Sequence, residues 1–88
     1  MSVSAADIHT ELSTALQPVS LDVQDDSHLH AGHAGAREGR HFSVRVVSAR
    51  FNGLSRLARH RLVYDSLNLL MQRGIHALAI DARAPGEP

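Results

Sequence analysis

Cysteine is absent from the 88-residue chain, so disulfides and thiolate metal sites are both excluded, and any thiolate-ligated centre would need thiolates from another molecule. Lysine is absent too: every one of the nine basic residues is arginine. No apolar run approaches the roughly 18 residues needed to span a bilayer, and no charged-then-apolar leader opens the chain. The expectation is a soluble, cytoplasmic protein with no membrane partner. No glycine-rich phosphate loop precedes a helix, no nucleophile elbow surrounds a serine, and the carboxylates show no pairing suited to acid–base work. Hydrolytic catalysis is therefore not expected, and the chain reads as a non-enzyme.

Apolar residues make up 43% of the chain, enough for one modest core and so for a single domain over residues 1–88. The formal charge of zero conceals an asymmetry. Residues 1–36 carry five acids and no arginine, a charge of −5, whereas residues 37–88 carry nine arginines against four acids, a charge of +5. A basic half of this kind is either an electrostatic footprint for nucleic acid or is neutralised by the acidic half on folding.

Ser4-Ala5-Ala6-Asp7 has the form of a capping box, with Asp in place of Glu. Ile8, Leu12, Ala15 and Leu16 continue it as a helical stripe that Pro18 ends. Val19, Leu21 and Val23 alternate with polar residues as a half-buried strand. From Asp25 to Arg40, glycines, histidines and charge predict a mobile surface loop. His41–Ser48 reads as a second strand with Phe42, Val44 and Val46 on one face, and Asn52-Gly53 as a turn.

Ser55 is the expected N-cap of one long helix. Its stripe is Leu57, His60, Tyr64, Leu67 and Met71, widened by Val63 and Leu70, with Arg61 and Asp65 as an i,i+4 pair. Gly74 closes that helix, and Ile75–Ile80 is a short apolar strand that fades by Pro85. The order is α-β-β-α-β, with room for a short extra helix before the long one, and the ordered core spans about residues 5–84. The second and last strands are expected to be parallel across a right-handed crossover, and the first two antiparallel. The fold class is α+β, a three-stranded mixed sheet covered by helices on one face.

Seven histidines are unevenly spread. His28, His30 and His33 crowd the loop, and His76 opens the most apolar strand, the oddest placement in the chain. A loop histidine and a strand histidine could together supply two metal ligands and leave the rest to a partner. His41 reads only as a strand-edge residue, and His60 as a side chain packed against the sheet. Arg45, Arg50, Arg56, Arg59 and Arg61, clustered around the turn and the start of the long helix, are the candidates for phosphate contacts.

His41-Phe42-x-Val44, Val47-Ser48, Phe51-x-Gly53-x-Ser55, Arg59-His60-Arg61-x-Val63-Tyr64 and Ile75-His76-Ala77-Leu78 together resemble the BolA family over roughly residues 5–85. The resemblance implies a class II KH-like α-β-β-α-α-β fold. It implies pairing with a monothiol glutaredoxin, the heterodimer sharing a [2Fe–2S] cluster and acting in iron–sulfur trafficking or iron and redox regulation. In such a heterodimer the glutaredoxin cysteine and a glutathione thiolate ligate on one side and histidines on the other, while the isolated chain holds no cluster. The family's strand histidine matches His76. Its loop ligand matches His30 when counted forward from Ser27 and His33 when counted back from His41-Phe42. Imidazole ligands in place of thiolates raise a cluster's potential and make its retention acid-sensitive.

A second implied function is DNA binding as a transcriptional regulator of stress response and cell morphology, through the arginine-bearing turn and helix. One departure bears on it: the connection before the long helix has only Gly53, not the paired glycines with which KH domains clamp a nucleic-acid backbone. Without cluster, the chain is expected to be a monomer or weak homodimer.

Overall fold

The structure, a computed structural model, describes residues 3–27 and 40–87. Helix α1 (Ala5–Leu16) starts at Ser4, whose hydroxyl accepts the Asp7 N–H while the Asp7 carboxylate accepts the Ser4 N–H, the complete capping box. Ile8, Leu12 and Leu16 form its buried stripe. Gln17 then takes a left-handed conformation, with φ of 45°, and turns the chain into strand β1 (Ser20–Asp25). Strand β2 (Arg40–Val47) pairs antiparallel with β1, and strand β3 (Ile75–Arg83) pairs parallel with β2, giving the order β1-β2-β3. Both pairings match the sequence expectation, as does the mixed α+β architecture.

The register separates the two sheet faces. Rows Val23–Val44–Ile80 and Leu21–Val46–Ala82 run across the sheet on the core side, with Val44 and Val46 buried. On the other side lie Gln24–Ser43–Ala79 and Asp22–Arg45–Asp81. That side is a largely polar face, because a strand's side chains alternate between faces.

Several expectations on burial and extent are corrected. Val19 is 73% exposed, outside β1, which starts one residue later and runs to Asp25. The last strand continues past Ile80 to Arg83. The short extra helix expected before the long one is present, as a 3₁₀ turn over Ala49–Phe51 capped by Ser48, and Gly53 follows it with a φ of 75° that suits the expected turn. The long helix is two: α2 (Arg56–Ser66), capped by Ser55, and α3 (Asn68–Arg73). The break has a local cause. The Ser66 hydroxyl donates to the Leu62 carbonyl at 2.7 Å, and the Leu67 N–H divides between the Val63 and Tyr64 carbonyls, both 3.1 Å away. Such competition from a serine hydroxyl bends a helix.

The buried residues of α2, the junction and α3 are Val63, Leu67 and Leu70. Leu57 and Tyr64, expected on the core stripe, are 60% and 39% exposed. Arg61 and Asp65 are not among the ion pairs of the described residues. Those pairs are Asp25–Arg40, Arg45–Asp81, Arg59–Glu87 and Asp81–Arg83, so only Asp25–Arg40 joins the acidic half to the basic half. Among the described residues no helix is long and apolar enough to cross a membrane.

Candidate functional site

The start of β3 explains the misplaced histidine. Arg40 pairs with Ile75, but His41 pairs with Ala77, so β3 carries one extra residue at this step, and that residue is His76. Ile75 is buried, and the inward alternation resumes at Leu78 opposite Phe42. The irregularity thus satisfies the core with Ile75 while leaving His76 exposed. Re-aiming one side chain is a common use of a bulge.

His76 lies beside His41. Their ring centroids are 5.1 Å apart, with planes tilted by 47°. His41 belongs to the polar face of β2, and its backbone is held at both ends. Its N–H donates to Ser27 Oγ at 3.2 Å, and its carbonyl accepts the Asp26 N–H at 2.8 Å. Around it the base of the β1–β2 connection is knotted by polar contacts. Asp25 accepts from the Ser27 N–H and the Arg40 guanidinium, and Asp26 accepts from the Ser43 hydroxyl. The hydrogen bonds from Ser27, with Arg40 nearby, hold the Asp25 carboxyl below the usual carboxylate range. On the other side, the Arg40 N–H donates to the Gly74 carbonyl at 2.9 Å, fixing the start of β3 against the start of β2.

Two imidazoles are therefore brought together on a firm support. They offer nitrogen donors that need no charge compensation, but not a closed coordination shell. Among the described residues no group of three or more His, Cys, Asp or Glu could hold a metal ion. His30 and His33, the two loop candidates, and His28 with them, lie outside the described residues. His41, read from the sequence only as a strand-edge residue, is the second imidazole of this pair. Aligning Phe42 with Leu78 sets His41 opposite Ala77, so it is the extra residue at the start of β3, which leaves no mark in the sequence pattern, that brings the two histidines together.

The five candidate phosphate-binding arginines differ in what they contact, although Arg56 lines one groove with Arg59 and, like Arg45, lies near Asp81. Arg45 is on the polar sheet face, 3.7 Å from Asp81. Arg59 is turned inward, its side chain 14% exposed. It donates to the Leu54 and Ala82 carbonyls and grips the Glu87 carboxylate with both terminal nitrogens. That grip, with the Ala84 N–H, pulls the Glu87 pKa down to about 2. Arg50, Arg56 and Arg61 are exposed. His60 is half-buried in the groove between α2 and β3 that Arg59, Ile80 and Ala82 also line, and so it does lie against the sheet as expected.

Known proteins share this fold. The BolA domain of SufE1 from Arabidopsis thaliana superposes with a TM-score of 0.86 at 43% identity, covering 100% of this chain and 99% of that one. The bovine BolA-like protein 1 is 46% identical over 82 residues, 93% of this chain and 59% of the relative. A Sinorhizobium sp. protein, described only as uncharacterised and encoded in the cobS 5′ region, is 44% identical over 84 residues. That match covers 92% of this chain and 90% of the relative. The chain thus spans a little over half the length of the bovine relative. The model of the family described as BolA-like protein matches residues 12–87. With sequence, fold and relatives in agreement, the chain belongs to the BolA-like protein family.

Proposed function

We propose that this chain is a non-enzymatic adaptor that binds a monothiol glutaredoxin and shares a [2Fe–2S] cluster with it, in iron–sulfur trafficking or iron and redox regulation in the cytoplasm. The observation that carries the reading is the exposure of His76, lifted out of the core by the extra residue at the start of β3 and set beside His41. The donor set fits a shared cluster. The chain supplies imidazole but no thiolate, so it can complete an iron's coordination but cannot hold a cluster alone, and the glutaredoxin cysteine and glutathione would supply sulfur. Within the loop, His30 and His33 remain the two candidates for a further ligand.

The alternative, a DNA-binding regulator using Arg45, Arg50, Arg56, Arg59 and Arg61, draws less support. Arg59 is committed to Glu87 and two backbone carbonyls, and Arg45 faces Asp81. A plain interaction module whose histidines bind no metal is the reading left if neither activity is found.

The test is visible absorption and circular dichroism of the protein mixed with a monothiol glutaredoxin, glutathione, iron and sulfide, against glutaredoxin alone. A distinct heterodimer spectrum is expected, lost in His76→Ala. Because His76 is exposed, that variant should stay folded, with stability within about 0.5 kcal/mol of the parent. A spectrum indistinguishable from glutaredoxin alone would refute the proposal.

A further inference from the structure

The geometry points to His41 and His76 as a two-imidazole chelate for a late divalent transition-metal ion, formed across the parallel strand pair. Its extension to the cluster, where His41 would stand as the second nitrogen ligand, rests on the proposed function; the chelate itself does not.

The ring separation fits chelation. A metal bound to imidazole nitrogen at roughly 2.0–2.1 Å lies about 3.2 Å from the ring centre. Two rings held on one ion at a right angle then have centres about 4.5 Å apart, and at the tetrahedral angle about 5.2 Å. The observed 5.1 Å falls inside this interval, near the tetrahedral end. The two rings therefore stand at a separation that one ion can bridge. The support is rigid, because Ser27 and Asp26 hold the His41 backbone and Gly74 holds that of Arg40 before it. His76 is exposed, which leaves the remaining coordination positions facing outward, open to water or to a partner's ligands.

The experiment is calorimetric titration of the full chain with Ni²⁺, paired with the imidazole resonances of the unaltered protein. Ni²⁺ should bind one to one and broaden the ring signals of His41 and His76 together. His41→Gln and His76→Gln should each weaken binding at least about tenfold, since even outer-shell losses at metal sites cost about 10–100-fold. A variant with His28, His30 and His33 all changed to Gln should bind within about threefold of the parent. The broadening needs no substitution, so it keeps the inference falsifiable if His41→Gln misfolds. No binding by the parent, or binding lost in the loop variant and kept in His41→Gln, would overturn the inference. The two claims separate cleanly. Ni²⁺ binding through His41 and His76 without a glutaredoxin heterodimer spectrum leaves the chelate standing and the adaptor reading refuted. A heterodimer spectrum with no His41-dependent Ni²⁺ binding does the reverse.

Discussion

Replacing Ser48 with alanine should be among the most costly single-atom deletions in this fold. Ser48 is fully buried just past the end of β2. Its hydroxyl donates to the Leu16 carbonyl at 2.6 Å and accepts the Arg50 N–H at 3.1 Å, while its own N–H donates to the Arg83 carbonyl at 3.0 Å. Leu16 lies in the last turn of α1, where carbonyls have no partner inside the helix. Without the hydroxyl, that acceptor is left buried and unmatched, at about 1–3 kcal/mol. Losing the cap of the 3₁₀ turn adds about 0.5–1 kcal/mol, because Arg50 is exposed and water can replace the bond to its N–H. The total is about 1.5–4 kcal/mol. At roughly 4–8 °C per kcal/mol for a domain of this size, Tm should fall by at least about 6 °C and by up to about 30 °C.

Urea denaturation measures this directly, with Ser4→Ala as an internal standard. Ser4 makes a comparable cap at an exposed helix start, where its loss costs about 1 kcal/mol. A Ser48→Ala shift no larger than that of Ser4→Ala, at unchanged m, would refute the argument that burial of the Leu16 carbonyl sets the cost. Ser48 and His41 sit at opposite ends of β2, so the folded variant should keep its metal-binding behaviour.

Two further outcomes follow from packing and charge. Leu67→Ala, at a fully buried position, should cost about 2–5 kcal/mol in denaturant unfolding, whereas Leu57→Ala, at an exposed one, should stay within about 0.5 kcal/mol. Equal losses would restore the unbroken helix stripe. Glu87 has its pKa lowered from 4.5 to about 2 by Arg59 and the Ala84 N–H, so its contribution is present above about pH 4.5 and is lost as pH falls towards 2. Glu87→Gln should therefore melt below the parent at pH 7, and the two melting curves should converge between pH 4.5 and 2. A gap that persists undiminished at pH 2 would rule out the carboxylate as its source.

Elements whose signals are local were legible in the sequence. The Ser4 and Ser55 caps, the alternation of Phe42, Val44 and Val46, and the turn at Gly53 each declare themselves within a few residues. The parallel pairing of β2 and β3 also follows, from the helical connection between them. The helix break does not, because it depends on which way the Ser66 hydroxyl points, and a rotamer leaves no trace in periodicity. Leu57 and Tyr64 lie within α2, before the break, and are exposed because α2 turns Val63 rather than them towards the core. His76 stood out because imidazole conflicts with its apolar neighbours. His41 did not, since its importance comes only from its neighbour across the strand pair.

That juxtaposition has a consequence for the order of folding. β1 and β2 pair residues 17 to 27 positions apart (42 minus 25, 47 minus 20), whereas His41 and His76 stand 35 positions apart (76 minus 41) and meet only when β3 adds to the far side of β2. The wider separation carries a somewhat larger loop-closure cost, which favours later formation. A nascent or partly folded chain would hold its histidines as separate monodentate groups, and the chelating pair would arise with the native sheet. An ion captured there stabilises the native state alone, by about 2.7 kcal/mol at a hundredfold excess over its dissociation constant. Strand addition and metal capture thus become one cooperative event, in which the last strand to dock is the one that gains most from the ligand.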